Sequence, residues 1–435
     1  MNEVRLGLLG LGTVGAGVVK ILEGHRTLLE ERAGCRLTLG AVADMDLTRP
    51  REGLDLRRLP MTGDAGKVLD DPSVQIVIEL VGGLEPARTF VLRALKSGKH
   101  VVTANKALLA HHGAELYEEA RRRGVTLAFE AAVAGGIPLI RAVRDGLPAN
   151  RILSTFGIVN GTCNYILSKM TDEGLDFSVV LKEAQAHGYA EADPTFDIEG
   201  LDSAHKLQIL VMLAFRTFVD LKHIHTEGIA RVSAQDIAYA RELGYRIKLL
   251  AIAKASDGQV EVRVHPTMIP SAAPLAAVSG VFNAVFITGD NVGDLMFYGR
   301  GAGQLPTASA VWSDALEIAR RIAHGIPTLA IELPFVGTAL PLRPMDEIRS
   351  CYYLRVMAQD RPGVISKVTG ILGDNDISIA SMIQKERAAA QAVPVVMMTH
   401  EARERDMRQA LAAIDRLPVV AQATTMIRVE HSEGG

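Results

Sequence analysis

Cysteine is scarce in this chain. Cys35, Cys163 and Cys351 are the only three in 435 residues, far apart and without a CxxC pair. An odd count at such spacings argues against a disulfide framework and predicts free thiols in a reducing cytoplasm. Long apolar runs are missing too: none reaches the roughly 18–20 residues that span a bilayer. The N-terminus enters a strand almost at once, without the basic and apolar zones of a signal peptide. Aromatics are few, at 5%, and the net charge of −3 comes from interspersed signs. With no basic patch carrying interleaved aromatics, nucleic-acid binding has no support. His111-His112 and His223/His225 lack the partners of a metal motif and read as surface or loop histidines. What remains is a cytoplasmic α/β chain long enough for two or three domains, with neither membrane nor nucleic acid as partner.

Against these absences stands an apolar run, Val4 to Leu9, that reads as a buried parallel strand. It leads into Gly10-Leu11-Gly12-Thr13-Val14-Gly15 and an apolar-periodic helix through Val18, Val19, Ile21 and Leu22. Gly10 suits a tight turn, Gly12 a close approach to a pyrophosphate, and Gly15 close packing of helix on strand. A phosphate would then lie at the positive end of the helix. Strand, glycine loop and helix in that order predict a Rossmann-type doubly wound sheet that binds NAD(P)H. The second strand, Arg36–Ala43, ends at Asp44, which can accept from the ribose hydroxyls and leans towards NAD. Arg49 and Arg51 follow and can instead hold a 2′-phosphate, so NAD and NADP both stay open. Ile76–Leu80 and His100–Thr103 break into Glu79-Leu-Val-Gly-Gly83 and Thr103-Ala-Asn-Lys106, at the edge where open α/β sheets bind ligands.

Val125–Phe129 reads as a further strand, followed by Glu130-Ala-Ala-Val133-Ala-Gly135-Gly136-Ile137-Pro138. Its oxygens suit a hard cation, though a plain crossing between domains fits as well. Ile152–Val159 leads into Asn160-Gly-Thr162-Cys-Asn-Tyr165, a donor set for a polar substrate. Between 189 and 206 come Glu191, Asp193, Asp197, Glu199 and Asp202, then His205 and Lys206, and directly afterwards an apolar helix from Leu207 to Phe215. That helix belongs in a core, and its first turns carry charge to the core's edge. Asp202 and Lys206 are four apart and share a helix face. An exposed pair of this kind is worth only about 0.3–0.5 kcal/mol; a partly desolvated one positions an amine for proton transfer. Val260–Thr267 and Ala284–Thr288 read as strands, and Tyr298–Gly303 as a glycine loop before a helix from about Thr307 to Ala323.

Gly10–Gly15, Thr103–Lys106, Asn160–Tyr165, Tyr189-Ala-Glu-Ala-Asp-Pro194, Gly200–Lys206 and Gly301-Ala-Gly303 together resemble homoserine dehydrogenase, in the right order over about residues 1–340. The resemblance implies NAD(P)-dependent interconversion of L-homoserine and L-aspartate 4-semialdehyde. It makes Lys206 the catalytic lysine with Asp202 beside it, Glu191 and Asp197 substrate-binding acids, and Thr162 and Lys106 further substrate contacts. Lys106 and Gly303 lie near the nicotinamide, with Thr103 on the cofactor side. Glu130, Val133, Gly135 and Ile137 match a site for a monovalent cation, sodium or potassium. Ala43-Asp44 departs from the family's frequent Arg-Asp. Another nicotinamide enzyme and a non-catalytic amino-acid sensor are the competing readings, and the presence of Glu191 and Lys206 speaks against both.

Prolines crowd residues 329–349, as in a linker. The pattern beyond is strand 352–358, helix 362–373, strands 377–383 and 392–399, helix 401–414 and strand 419–429, a ferredoxin-like order. Asp360-Arg-Pro-Gly363 supplies an N-cap and a proline for the first helix. With Gly373-Asp-Asn375-Asp-Ile-Ser378, this region resembles an ACT domain, which implies feedback control by L-threonine through Gly363 and Asn375, or a purely structural pairing module. The expected division is 1–130 with about 305–340 for the nucleotide, 131–304 as an α+β substrate and dimerisation domain, and 350–430 for regulation. The expected assembly is a monofunctional homo-oligomer, a dimer or tetramer.

Overall fold

The computed structural model describes residues 2–327, 339–385 and 392–431. Of the linker predicted over 329–349, residues 329–338, Pro334 included, lie outside the described residues. The chain divides into two compact units. One comprises Met1–Ile152, Ala204–Ile224 and Asn283–Leu340; the other comprises Leu153–Ser203, His225–Phe282 and Pro341–Gly435.

The first unit opens with β1 (Glu3–Leu9), α1 (Thr13–Ala33), β2 (Arg36–Ala43), β3 (Met61–Thr62), β4 (Ile76–Glu79), α2 (Ala87–Lys96), β5 (His100–Thr103), α3 (Lys106–Arg123) and β6 (Leu127–Ala128). The strands form one parallel sheet in the order β3-β2-β1-β4-β5-β6. This is the order of a dinucleotide-binding fold. The strand predicted over Val125–Phe129 shrinks to Leu127–Ala128, because Glu130–Ala132 turns at once into a 3-10 helix.

Next in the chain come β7 (Ile152–Ile158), α4 (Gly161–Glu173), α5 (Phe177–Ala186), a short helix Thr195–Ile198, α6 (Leu201–Phe215), α7 (Ala234–Glu242), β8 (Tyr245–Ser256) and β9 (Gln259–Pro270). The hairpin β10 (Phe282–Gly289) and β11 (Gly293–Arg300) leads to α8 (Gln304–Ala323). α8 packs along α1, where Trp312 Nε1 donates to the Val18 carbonyl at 2.9 Å. Val311, Ala315 and Ile318 of α8 join Leu6, Leu8, Val18 and Val19 in one buried core.

In the second unit, β8 pairs antiparallel with β7 and with β9. The C-terminal part supplies β12 (Arg349–Gln359), α9 (Val364–Asp374), β13 (Ile379–Ile383), β14 (Ala392–Thr399), α10 (Glu404–Ile414) and β15 (Thr425–Val429). Its strands run β15-β12-β14-β13, all antiparallel, around a core of Tyr352, Leu354, Val356, Val368, Leu372, Val395 and Met407. β15 also pairs with β9 through Thr267↔Arg428 and Met268↔Val429, so the sheet of β7, β8 and β9 runs on without a break. Asp360 does not cap α9. Gly363, at φ +84°, is the residue before the helix, and the Asp360 carboxylate accepts instead from Gln384.

Candidate active site

Sheet register brings the predicted nucleotide residues into one line. Leu9 pairs with Ala43 and Glu79, and Glu79 with Thr103, so Gly10, Asp44 and Ala104 all leave the sheet at the same edge. Gly10 has φ +92°, and a Cβ there would lie 2.6 Å from the Leu80 carbonyl oxygen. At Gly15 it would lie 2.2 Å from the Gly10 oxygen, whereas at Gly12 it would meet nothing within 4 Å. Thr13 and Val14 begin α1, whose first turn carries no acid. The open space at Gly12 and the positive helix end together fit a pyrophosphate.

Around this edge the polar side chains are already engaged. Leu11 N–H donates to the Asp44 carboxylate at 2.6 Å, and Arg51 donates from Nε to the Leu11 carbonyl at 3.0 Å. Arg51 Nη2 lies 3.2 Å from Asp44. Glu79, fully buried, accepts from Thr103 Oγ1 at 2.6 Å and from Val81 N–H at 2.8 Å; burial pushes its carboxyl up. Asn105 accepts from Leu108 N–H and donates to the Gly83 carbonyl, which sets Lys106, half-buried, as the first residue of α3.

The two glycine loops of the first unit meet backbone to backbone. A Cβ on Gly135, at φ +52°, would sit 2.3 Å from the Gly301 oxygen, and Gly136 N–H donates to Arg300 O at 3.0 Å. Beside Gly301 the Asn283 side chain is buried, and neither its oxygen nor its nitrogen has a hydrogen-bond partner. Val133 and Ile137 are buried, and Gly303, at φ +125°, precedes α8. The Glu130 carboxylate is committed elsewhere: it accepts from Ile140 N–H at 2.8 Å and Arg141 N–H at 2.9 Å. Each oxygen of that carboxylate thus already accepts one N–H. Glu130 N–H in turn donates to Asp314 at 2.8 Å. Burial pushes Asp314 up to about 7, although Arg141 lies 3.5 Å away. Sequence reasoning missed Asp314; its one signal is an acid set among Val311, Trp312, Ala315 and Leu316. Among the described residues no group of three or more His, Cys, Asp or Glu side chains could hold a metal.

The second unit gathers the acidic stretch around a single amide. Asn160 caps α4 with its side-chain oxygen, which accepts from Cys163 N–H at 2.8 Å. Its Nδ2 donates to Asp197 at 2.7 Å and to the buried Asp202 at 2.9 Å. Thr162 Oγ1 lies 2.7 Å from the Tyr189 carbonyl and 3.2 Å from Asp197. One asparagine thus holds two carboxylates side by side. Glu191 stands exposed in the link after α5, and none of these bonds uses its carboxylate. Lys206, half-buried, follows Asp202 by one helical turn on α6. In the C-terminal part, Asn375 ends α9 and donates to the Ile371 carbonyl at 2.8 Å. Gly363 lies at the other end of α9, roughly 18 Å away by helical rise.

Comparison with known proteins assigns the chain to a family. Residues 10–130 match the family model "Homoserine dehydrogenase, NAD binding domain", 138–316 match "Homoserine dehydrogenase", and 352–419 match "ACT domain". A homoserine dehydrogenase of Pseudomonas aeruginosa is 45% identical, over 99% of this chain and 100% of its own length. The crystal structure of a homoserine dehydrogenase from Thiobacillus denitrificans superposes with a TM-score of 0.93 at 47% identity, covering 99% of both chains. A hyperthermophilic archaeal homoserine dehydrogenase, solved in complex with NADPH, matches 75% of this chain and 99% of its own, at TM-score 0.60 and 26% identity. With its NAD-binding domain and its C-terminal ACT domain, the chain belongs to the homoserine dehydrogenase family.

Proposed function

We propose that this enzyme interconverts L-homoserine and L-aspartate 4-semialdehyde, a step of threonine, methionine and isoleucine biosynthesis, with Lys206 as acid and base. The observation that carries the reading is the Asp197–Asp202 pair held by Asn160 one helical turn before Lys206. The nicotinamide, when bound, supplies the hydride acceptor or donor. The chain's own work is to hold the substrate and move one proton. Neutral Lys206 takes the proton of the homoserine hydroxyl, and its ammonium form returns it to the aldehyde oxygen. Asp202 stands one turn away on the same helix face. Asp197 and Glu191 match the charge of the substrate's ammonium group, while Thr162 and Lys106 add polar contacts.

Gly10, Leu11, Gly12, Thr13, Val14 and Gly15 would hold the pyrophosphate, with Thr103, Lys106 and Gly303 towards the nicotinamide. Asp44 favours NAD by accepting from the ribose hydroxyls. Arg51, paired with it, is the cation available for a 2′-phosphate, so both cofactors serve. Main-chain oxygens of Glu130, Val133, Gly135 and Ile137 would take sodium or potassium, and the orphaned Asn283 amide nearby supports a ligand there. L-Threonine is the proposed effector. Gly363 and Asn375 stand too far apart to touch one small amino acid within a single chain, so a site using both would draw them from two copies of a dimer or tetramer.

NAD(P)H oxidation with L-aspartate 4-semialdehyde tests this, for the wild type and Lys206→Ala, with and without L-threonine. The variant is expected to fold and lose about 100- to 10,000-fold in kcat. A folded wild type that turns over with neither cofactor would sink the enzyme reading in favour of an amino-acid sensor.

A further inference from the structure

The acidic cluster is braced from behind by a segment to which the reaction assigns no task. Gly228 lies so close to the link before α6 that a Cβ there would sit 2.3 Å from the Ile198 carbonyl oxygen and 2.6 Å from Glu199 Cα. Ile229 N–H donates to the same Ile198 carbonyl at 2.8 Å. Gly200, at φ +82°, would bring a Cβ within 3.1 Å of Thr226 and 3.4 Å of the Glu227 main-chain oxygen. Residues 226–229 therefore form a strap over Ile198–Gly200, three of the four residues that join Asp197 to Asp202.

Glu227 anchors that strap. Its N–H donates to the Val264 carbonyl at 2.8 Å. Its carboxylate accepts from Arg428 Nη1 and Nη2, at 3.0 and 2.9 Å, and lies 2.7 Å from His225 Nε2. Arg428, on β15, is 1% exposed. Its Nε and Nη2 also donate to Glu404 at 2.9 and 2.6 Å. Glu404 opens α10, is fully buried, and accepts from the Tyr352 hydroxyl of β12 at 2.9 Å. Tyr352 and Glu404 both belong to the stretch that matches the ACT domain.

We propose that Glu227 and Arg428 are positioning residues that carry the packing state of the ACT core to the 226–229 strap, and so set how Asp197 and Asp202 stand together. The inference rests on the reading of Asp197 as substrate-binding and of Asp202 as the carboxylate beside Lys206. A guanidinium is a rigid planar fork. Shared between Glu404 and Glu227, it cannot turn towards one without loosening the other. The strap lies close on 198–200, with Ile229 N–H bonded to the Ile198 carbonyl and Gly228 against Glu199 Cα, which leaves little slack to absorb a shift. Movement of α10 thus reaches the Ile198 carbonyl, one residue from Asp197.

The test compares the full-length wild type, Glu227→Gln and Tyr352→Phe by amide hydrogen exchange and by separate KM values for amino-acid substrate and cofactor. Exchange is expected to quicken at the Ile229 amide and over residues 197–202 in both variants. KM for L-homoserine should rise roughly 2- to 30-fold, with the cofactor KM near wild type, a split that general loosening would not produce. Wild-type exchange at Ile229 in folded Glu227→Gln overturns the positioning pair. Should that variant not fold, Tyr352→Phe decides in its place, and wild-type exchange there overturns the link to the ACT core. A wild type inactive on L-homoserine counts against the functional reading alone, because the exchange data still decide for or against the relay.

Discussion

Asn160 works with both ends of its amide, and the two roles can be separated. Asn160→Asp keeps an oxygen to cap α4 but loses the donor that bridges Asp197 and Asp202. Three carboxylates then crowd one spot. Activity is expected to fall about 10- to 100-fold, as for a misplaced reacting group, while steady-state kinetics and thermal unfolding together show a stability loss within about 1–2 kcal/mol. Asp314 makes a pH prediction. Its carboxyl rises from 3.8 to about 7 on folding, so between those values the folded chain holds a proton that the unfolded chain has released. Its contribution to stability is full below about pH 4 and is lost as pH rises through 7. In Asp314→Asn the melting profile should flatten over that window, by at most about 1.4 kcal/mol per pH unit; an unchanged slope would remove Asp314 as the titrating group. Neither role was legible in the sequence. The density of acids between 189 and 206 was plain, but the amide that joins two of them lies 37 and 42 positions from its partners.

Elements were easier to read than their ends. The helix predicted over Thr307–Ala323 starts at Gln304, and the strand expected over 419–429 only at Thr425. Periodicity marks an element's middle; its ends depend on caps and turns made by other segments. The glycine loops at 133–138 and 299–303 were each visible as loops, yet nothing local said that they meet. Gly135→Ala tests that meeting. A methyl group must enter 2.3 Å from the Gly301 oxygen at a left-handed residue, so a loss of about 2 kcal/mol or more is expected from strain and overpacking. Chemical denaturation measures it, and a wild-type midpoint would mean that the loops separate at little cost.

The molecule as a whole ties its C-terminal strands into the sheet of β7, β8 and β9. Arg263 of β9 is fully buried and pairs with Glu261 and Glu430, and Lys254 of β8 reaches the same Glu430 at 2.5 Å. Cutting the chain after residue 340 would strip β15 from β9 and leave Arg263 without Glu430. Breaking a buried pair by removing one partner costs about 3–5 kcal/mol. The truncated protein is therefore expected to aggregate or to lose its cooperative melting transition, rather than survive as an unregulated enzyme; a sharp transition near the wild-type temperature in scanning calorimetry would contradict this. By itself, the sequence determined the local facts: a strand, glycine loop and helix for a dinucleotide, a charged entry to an apolar helix, and a ferredoxin-like order at the end. Backbone sterics and apolar periodicity act within a few residues, so they can be read along the chain. Tertiary structure alone decided which carboxylates share the Asn160 amide, where Asp314 is desolvated, and that β15 lies between β12 and β9. Those outcomes depend on groups far apart in sequence being enclosed together, where burial and pairing set their charge and geometry.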